Sequence, residues 1–225
     1  MLILLLFGPP GCGKGTQAAF LAERLHIPAI STGEVFRAEC KAGTPLGKMA
    51  CEIMSIGGLM SDEIVNGIVA GRTSRPDCRG GFLLDGYPRT VAQAQAFDQL
   101  LRERKLPEPV VVHLDVPDQL LVARLTARRQ CSKCLRIYNL LSQPPAAEGI
   151  CDDDGAALQT RDDDQEPVIR ERLKAYHNLT GPILAWYGVT RVHTVDGGAA
   201  REEVAQAVEA VVRRAAKPLK VLSVG

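Results

Sequence analysis

Two rhythms alternate along this chain. Short, nearly unbroken apolar runs (LILLLF at 2–7, GFLLD at 81–85, PVVVHLDV at 109–116) give way to stretches whose apolar residues recur at helical spacing, from about 14 to 25 and from about 90 to 103. Runs apolar on both faces suit strands covered on both sides, so the alternation predicts an α/β doubly wound core, a parallel sheet wrapped by helices. TRVHTVD at 190–196 reads as another strand, and Val204, Val208, Val211 and Val212 set a helical stripe across 201–215.

Two segments break the rhythm. Residues 31–60 carry short helical patterns separated by Gly43 and the Gly57-Gly58 pair, without a good strand, and read as a small helical insertion. From about 130 to 161 the chain is rich in Cys, Pro, Asp and Gly, too sparse in apolar residues for a core of its own. The final KPLKVLSVG reads as a loosely held tail.

The chain has 225 residues, 46% of them hydrophobic and 24% charged, which allows a sizeable core without disulfide support. A formal net charge of +1 argues against nucleic-acid binding through overall basicity, so any anion site must be a local one. The apolar start is six residues long, lacks a basic region before it and runs into glycines, which fits a buried strand and not an export signal. No stretch approaches the roughly 18–20 apolar residues that span a bilayer, so a protein of the cytoplasm, away from membranes, is expected. Seven cysteines without an export signal are expected as thiols or metal ligands, not disulfides.

After the first strand comes Gly8-Pro9-Pro10-Gly11-Cys12-Gly13-Lys14-Gly15-Thr16, close to the phosphate-binding P-loop of strand, glycine-rich turn and helix. Glycines let backbone N–H groups converge on phosphate oxygens, the helix N-terminus adds its positive dipole end, and Lys14 supplies a cation. Gly15 stands where the general pattern has a hydroxyl residue, with Thr16 one place later. Cys12 reads as a small filler.

GPPGCGKGTQ resembles the opening motif of the nucleoside monophosphate kinases, and STGEVFR (31–37) and LLDGYPRT (83–90) resemble two further signatures of that family in its order. The resemblance implies that Thr32, Arg37 and Arg89 meet the acceptor nucleotide, the two arginines on its phosphate, where guanidinium forks fit. Gln93 matches the position that reads the adenine edge, its carboxamide offering a donor and an acceptor. Asp85 ends an apolar run, as a carboxylate orienting waters on Mg²⁺ should. DVPDQLLVARLTARRQ sets Arg124 and Arg128 four residues apart, which predicts one helix face, and TRDDDQEPVIRERL offers Arg161 and Arg172. These stretches resemble the hinges of the family's lid, where the arginines surround the triphosphate; Arg129 is the weakest candidate, and Arg136 reads as a lid surface residue.

Between them Cys131-x2-Cys134 and Cys151-x2-Asp154 stand sixteen residues apart, the spacing of a structural zinc site with one carboxylate ligand. The segment looks like the metal-bearing lids of bacterial adenylate kinases. Asp152 or Asp153 could replace Asp154, and iron or cobalt could replace zinc.

The resemblance runs from residue 2 to about 215. It implies a core of residues 1–30, 61–122 and 161–225, an acceptor-binding insertion at 31–60 and a lid at 123–160. The reaction implied is reversible phosphoryl transfer from MgATP to AMP by a monomer. A UMP or CMP kinase and a GTP-using relative are the alternatives within the family. A nucleotide-dependent nucleic-acid-binding module should show basic and aromatic residues around its metal knuckles, whereas this segment carries Glu148, Asp152, Asp153 and Asp154, with Tyr138 as its aromatic residue.

Overall fold

A computed structural model describes residues 1–215. Strand β1 (Leu2–Phe7) leads through the glycine-rich turn into α1 (Lys14–Leu25), followed by β2 (Ala29–Ser31), α2 (Thr32–Ala42), α3 (Pro45–Ser55) and α4 (Asp62–Thr73). Next come β3 (Gly81–Asp85), α5 (Val91–Glu103), β4 (Val110–Asp115) and α6 (Asp118–Thr126). Three short strands, β5 (Arg128–Cys131), β6 (Ile137–Asn139) and β7 (Leu158–Gln159), precede α7 (Glu166–Ala175), α8 (Gly181–Tyr187), β8 (Val192–Asp196) and α9 (Arg201–Ala215).

The main sheet is parallel, in the order β2-β3-β1-β4-β8. Alternation along β1 explains why both its faces must be apolar. Ile3, Leu5 and Phe7 join a core with Phe82, Leu84, Val111 and Phe97, while Leu4 and Leu6 join another with Leu21, Leu83, Val112, Leu114 and Ile169. Register places Leu6 and Ser31 both opposite Asp85, so the P-loop, the start of α2 and the Asp85 carboxylate emerge along one sheet edge. Ligands of open α/β sheets bind beyond the carboxyl ends of their strands, and this is that edge.

Between β2 and α4 the chain forms the α2–α3 pair. Ser31 Oγ accepts from Glu34 N–H at the start of α2, and Gly43, at φ 66°, ends it in the left-handed region that glycine adopts freely. Thr44 Oγ1 then accepts from Gly47 N–H and Pro45 opens α3. A Cβ at Gly47 would collide with the Glu39 carbonyl, so the two helices approach closely because that position is glycine.

Two expectations are corrected. Arg124 and Arg128 do not share a helix face: α6 stops at Thr126, Ala127 closes it, and Arg128 begins β5, whose antiparallel pairing with β6 outweighs helix continuation. Cys40 and Cys51 are not separate thiols but a disulfide, because α2–α3 packing brings their Cα atoms to 5.7 Å. Cys12, Cys78, Cys131, Cys134 and Cys151 are free. The tail 217–225 lies outside the described residues, and among those described no helix is long and apolar enough to cross a membrane.

Candidate active site and metal centre

The P-loop turns sharply at Gly8, Gly11 and Gly13, with φ of 145°, 84° and 98°. A Cβ at Gly8 would strike the Leu114 carbonyl and the Cys12 sulfur, so glycine is needed there for close packing as well as for its conformation. Cys12 is the buried filler expected. Lys14 Nζ folds back onto the loop, donating to the carbonyls of Gly8 (2.7 Å) and Pro9 (2.9 Å). Asp85 faces the first turn of α1, where the small Gly15 leaves space beside Asp85 Oδ2.

From this loop a cavity of about 950 Å³ extends across the sheet edge, near the upper end of the roughly 300–1,000 Å³ usual for small-molecule sites. Lys14, Thr16, Thr32, Arg37, Asp85, Arg89, Gln93, Arg124, Arg128, Arg161 and Arg172 all line it. Residues from Lys14 to Arg172 thus share one space.

Its cations are concentrated and partly neutralised by two acids that spacing did not single out. Arg128 grips Asp164 with two bonds, from Nε at 2.7 Å and a terminal nitrogen at 2.5 Å. Arg172 pairs with both Asp163 (3.1 Å) and Asp164 (3.2 Å). Arg161 Nε lies 3.3 Å from Asp163 Oδ1 and finds no aligned hydrogen-bond partner among the described residues. Burial, reinforced by neighbouring guanidinium groups, pulls Arg37 and Arg161 down to about 10, and burial likewise lowers Arg89 and Arg172. Burial alone would raise the Asp163 carboxyl, yet Arg172 and Arg161 outweigh it and hold it below the usual range. The arginines keep their charge near neutrality, so a polyanion between them relieves their mutual repulsion. The run of three aspartates directly after Arg161 was the available sequence signal for these counter-charges.

Arg89 Nε donates to the Gly86 carbonyl (2.8 Å), and Thr32 Oγ1 donates to the same oxygen (2.9 Å). Arg124 is tied to the β8–α9 loop through the carbonyls of Gly197 (2.8 Å) and Gly198 (3.2 Å). Arg129 bonds to the carbonyls of Thr126 and Arg128, and Arg136, partly exposed, pairs with Asp153 and Asp152. Tyr87 shapes the loop, its hydroxyl bonded to Asn66 Oδ1 and the Gln93 carbonyl.

Beside the cavity, β6-β5-β7 form a small antiparallel sheet. On it the Sγ atoms of Cys131, Cys134 and Cys151 and a carboxylate oxygen of Asp154 lie within 4.8 Å of one another. Cys134 and Cys151 sulfurs are 3.5 Å apart, and Cys131 Sγ is 3.4 Å from Asp154 Oδ1. A tetrahedral shell with metal–sulfur bonds of about 2.3 Å has edges of roughly 3.8 Å, so the donor set fits a four-coordinate ion. Asp154 is the carboxylate in the cluster, since Asp152 caps Ala146 N–H and Asp153 pairs with Arg136. Ala156 N–H holds the Asp154 carboxyl down at about 2. The backbone N–H groups of Lys133 and Cys134 point at Cys131 Sγ, at 3.3 and 3.4 Å.

The family model "Adenylate kinase" matches residues 6–192. Similar curated relatives include an adenylate kinase of Symbiobacterium thermophilum, 45% identical over 93% of this chain and 98% of its own length. Another, from Desulfitobacterium hafniense, is 50% identical over 81% of this chain and 84% of its own, and one from Archaeoglobus fulgidus is 43% identical over 94% and 98%. Similarity of this extent runs through the P-loop, both insertions and the arginine-lined cavity alike, so the chain belongs to the adenylate kinase family.

Proposed function

We propose that the one cavity holds two nucleotides end to end, a donor triphosphate on the P-loop and an acceptor monophosphate between α2 and the Gly86–Gln93 segment. The chain is an ATP:AMP phosphotransferase, catalysing MgATP + AMP ⇌ MgADP + ADP. The observation that carries the reading is the convergence of Lys14, Asp85 and arginines from 37 to 172 on one cavity.

Each role follows from the chemistry of the group. P-loop N–H groups of Gly8, Gly11, Gly13, Gly15 and Thr16, with Lys14, take the donor phosphates, and Asp85 and Thr16 would hold Mg²⁺, which would neutralise phosphate charge. Arg37 and Arg89 take the acceptor phosphate, with Thr32 shaping that end and Gln93 reading adenine. Arg124, Arg128, Arg161 and Arg172 surround the transferred group, where charge spreads over its equatorial oxygens. An AMP phosphate oxygen attacks the γ-phosphorus of ATP and the bond to the β-bridging oxygen breaks, so ADP leaves as a second ADP forms. That phosphate is already ionised near neutral pH and needs no general base. Residues 31–60 and 123–160 would close over a core of 1–30, 61–122 and 161–225, excluding the water that competes with AMP. Zn²⁺ is the ion proposed for Cys131, Cys134, Cys151 and Asp154; a closed shell leaves no position for substrate, so its part is structural. A monomer of the cytoplasm fits this reading.

A coupled assay of the purified protein with Mg²⁺, pairing AMP, GMP, CMP and UMP with ATP and GTP, tests it. Turnover is expected with ATP and AMP; preference for UMP, CMP or GTP would move the chain elsewhere within the family. In the same assay Gln93→Leu is expected to raise KM for AMP about tenfold or more while leaving KM for ATP near its original value, since a base contact is lost on one side alone. Equal effects on both substrates would remove the adenine-reading role.

A further inference from the structure

Gln93 is buried, yet its carboxamide is not free to turn. Its Oε1 accepts from the Arg89 backbone N–H at 2.7 Å, and its Nε2 donates to Asp62 Oδ1 at 2.7 Å. A backbone N–H can only donate and an ionised carboxylate can only accept, so the two partners dictate which end is oxygen and which is nitrogen. Asp62 is fixed in turn, because its other oxygen accepts from Thr90 Oγ1 at 3.0 Å, and Thr90 accepts from Gln93 N–H at 3.1 Å as the cap of α5. Asp62 opens α4, so the contact joins the first turns of two helices at the wall of the cavity.

We infer that Asp62 is a positioning residue for acceptor-base specificity: it locks the orientation of the Gln93 carboxamide and so decides which purine edge the site accepts. With one lone pair spent on Arg89 N–H and one N–H on Asp62, Gln93 has one acceptor and one donor left, in a fixed order. Adenine presents a donor at N6 and an acceptor at N1, which matches that order. Hypoxanthine presents the reverse, an acceptor at O6 and a donor at N1, and would need the carboxamide turned over. Turning it would place NH₂ against Arg89 N–H and oxygen against the Asp62 carboxylate, two repulsive contacts in a buried setting. Discrimination thus comes partly from what the locked amide rejects. The inference rests on the reading of Gln93 as the adenine-reading group.

The test is the ratio of kcat/KM for AMP to that for IMP, with ATP as donor, in wild type, Asp62→Asn and Gln93→Leu. Asparagine can offer its own NH₂ to a turned carboxamide, so Asp62→Asn should lower the ratio about tenfold, the worth of one directed hydrogen bond. KM for AMP should rise, while KM for ATP and kcat at saturating AMP stay within about twofold. A ratio held at the wild-type value, or KM rising equally for both nucleotides, would make Asp62 a helix–helix contact and overturn the proposal. If Gln93→Leu also leaves AMP binding untouched, it is the reading of Gln93 that fails; if Gln93→Leu weakens AMP and Asp62→Asn does not change the ratio, the locking role fails alone. Should the asparagine variant not fold, Asp62→Ser, which keeps a small polar group at the start of α4, is read by the same ratio and the same criteria.

Discussion

Lys14→Ala is expected to lower kcat by at least about a hundredfold, the scale on which loss of one preorganised charge donor acts, while the melting temperature stays within a few degrees. The two halves of that expectation come from the same contacts. Lys14 Nζ bonds to the carbonyls of Gly8 and Pro9 and lies 3.6 Å from Cys12 Sγ, which are local partners inside the loop it serves. The site is partly open, so those carbonyls can turn to water when the ammonium is gone, and the fold loses little. The P-loop backbone keeps its shape for a separate reason, the positive φ of Gly8, Gly11 and Gly13. What disappears is the mobile cation that must exchange loop carbonyls for phosphate oxygens as charge moves toward the leaving group. Single-turnover measurement with saturating ATP and AMP, beside a thermal melt, separates the halves; near-normal turnover would remove the P-loop from catalysis, and a collapsed melt would make Lys14 a structural residue.

The core was legible because its physics is local. A strand buried on both faces must be apolar at every position, and 2–7, 81–85 and 110–115 are nearly so. Glycine at 43 and threonine at 44 end one helix and begin the next by rules that involve only a few neighbouring residues. What sequence spacing could not reach was pairing at a distance. Arg124 and Arg128 have helical spacing, but the chain leaves α6 at Ala127 because β6 offers Arg128 a strand partner, and a strand partner is a fact of tertiary structure. Asp163 and Asp164 stood beside Arg161 in plain sight, yet their value as buried counter-charges depends on Arg128 and Arg172, which arrive from other elements. Asp62 gave no signal at all, since its meaning lies in Gln93 and Thr90, about thirty residues on. The Cys40–Cys51 pairing likewise follows from how closely α3 lies on α2, which Gly47 permits and no cysteine count reveals.

Treatment with a chelator, or Cys131→Ser, is expected to lower the melting temperature by about 5–10 °C while kcat at moderate temperature changes by no more than about threefold. The reason is the poverty of the small sheet's own core. Cys131, Tyr138 and Cys151 are its buried apolar side chains, with Ala156 and Leu158 packed against them, and strands of two to four residues cannot hold together on so little. Leu135, Leu140, Leu141 and Ile150 remain exposed, so hydrophobic burial does not make up the difference. A four-ligand shell would tie Cys131, the last residue of β5, and Cys134, in the turn after it, to Cys151 and Asp154, on the stretch leading into β7, and so fasten the segment across its length. Tyr138 braces that shell: its hydroxyl accepts from Asp152 N–H at 2.8 Å and lies 3.4 Å from Cys151 Sγ. The reacting phosphates, by contrast, would meet Arg128, Arg161 and Arg172, held by Asp163 and Asp164 at the base of the segment and not by the cluster. Chelation should therefore leave the melt of Cys131→Ser unchanged while lowering that of Cys78→Ser as much as that of the wild type, because Cys78 is buried in the main core, away from the cluster. A wild-type melting curve indifferent to both chelator and Cys131→Ser would show that the four groups stand together without holding an ion that matters to the fold.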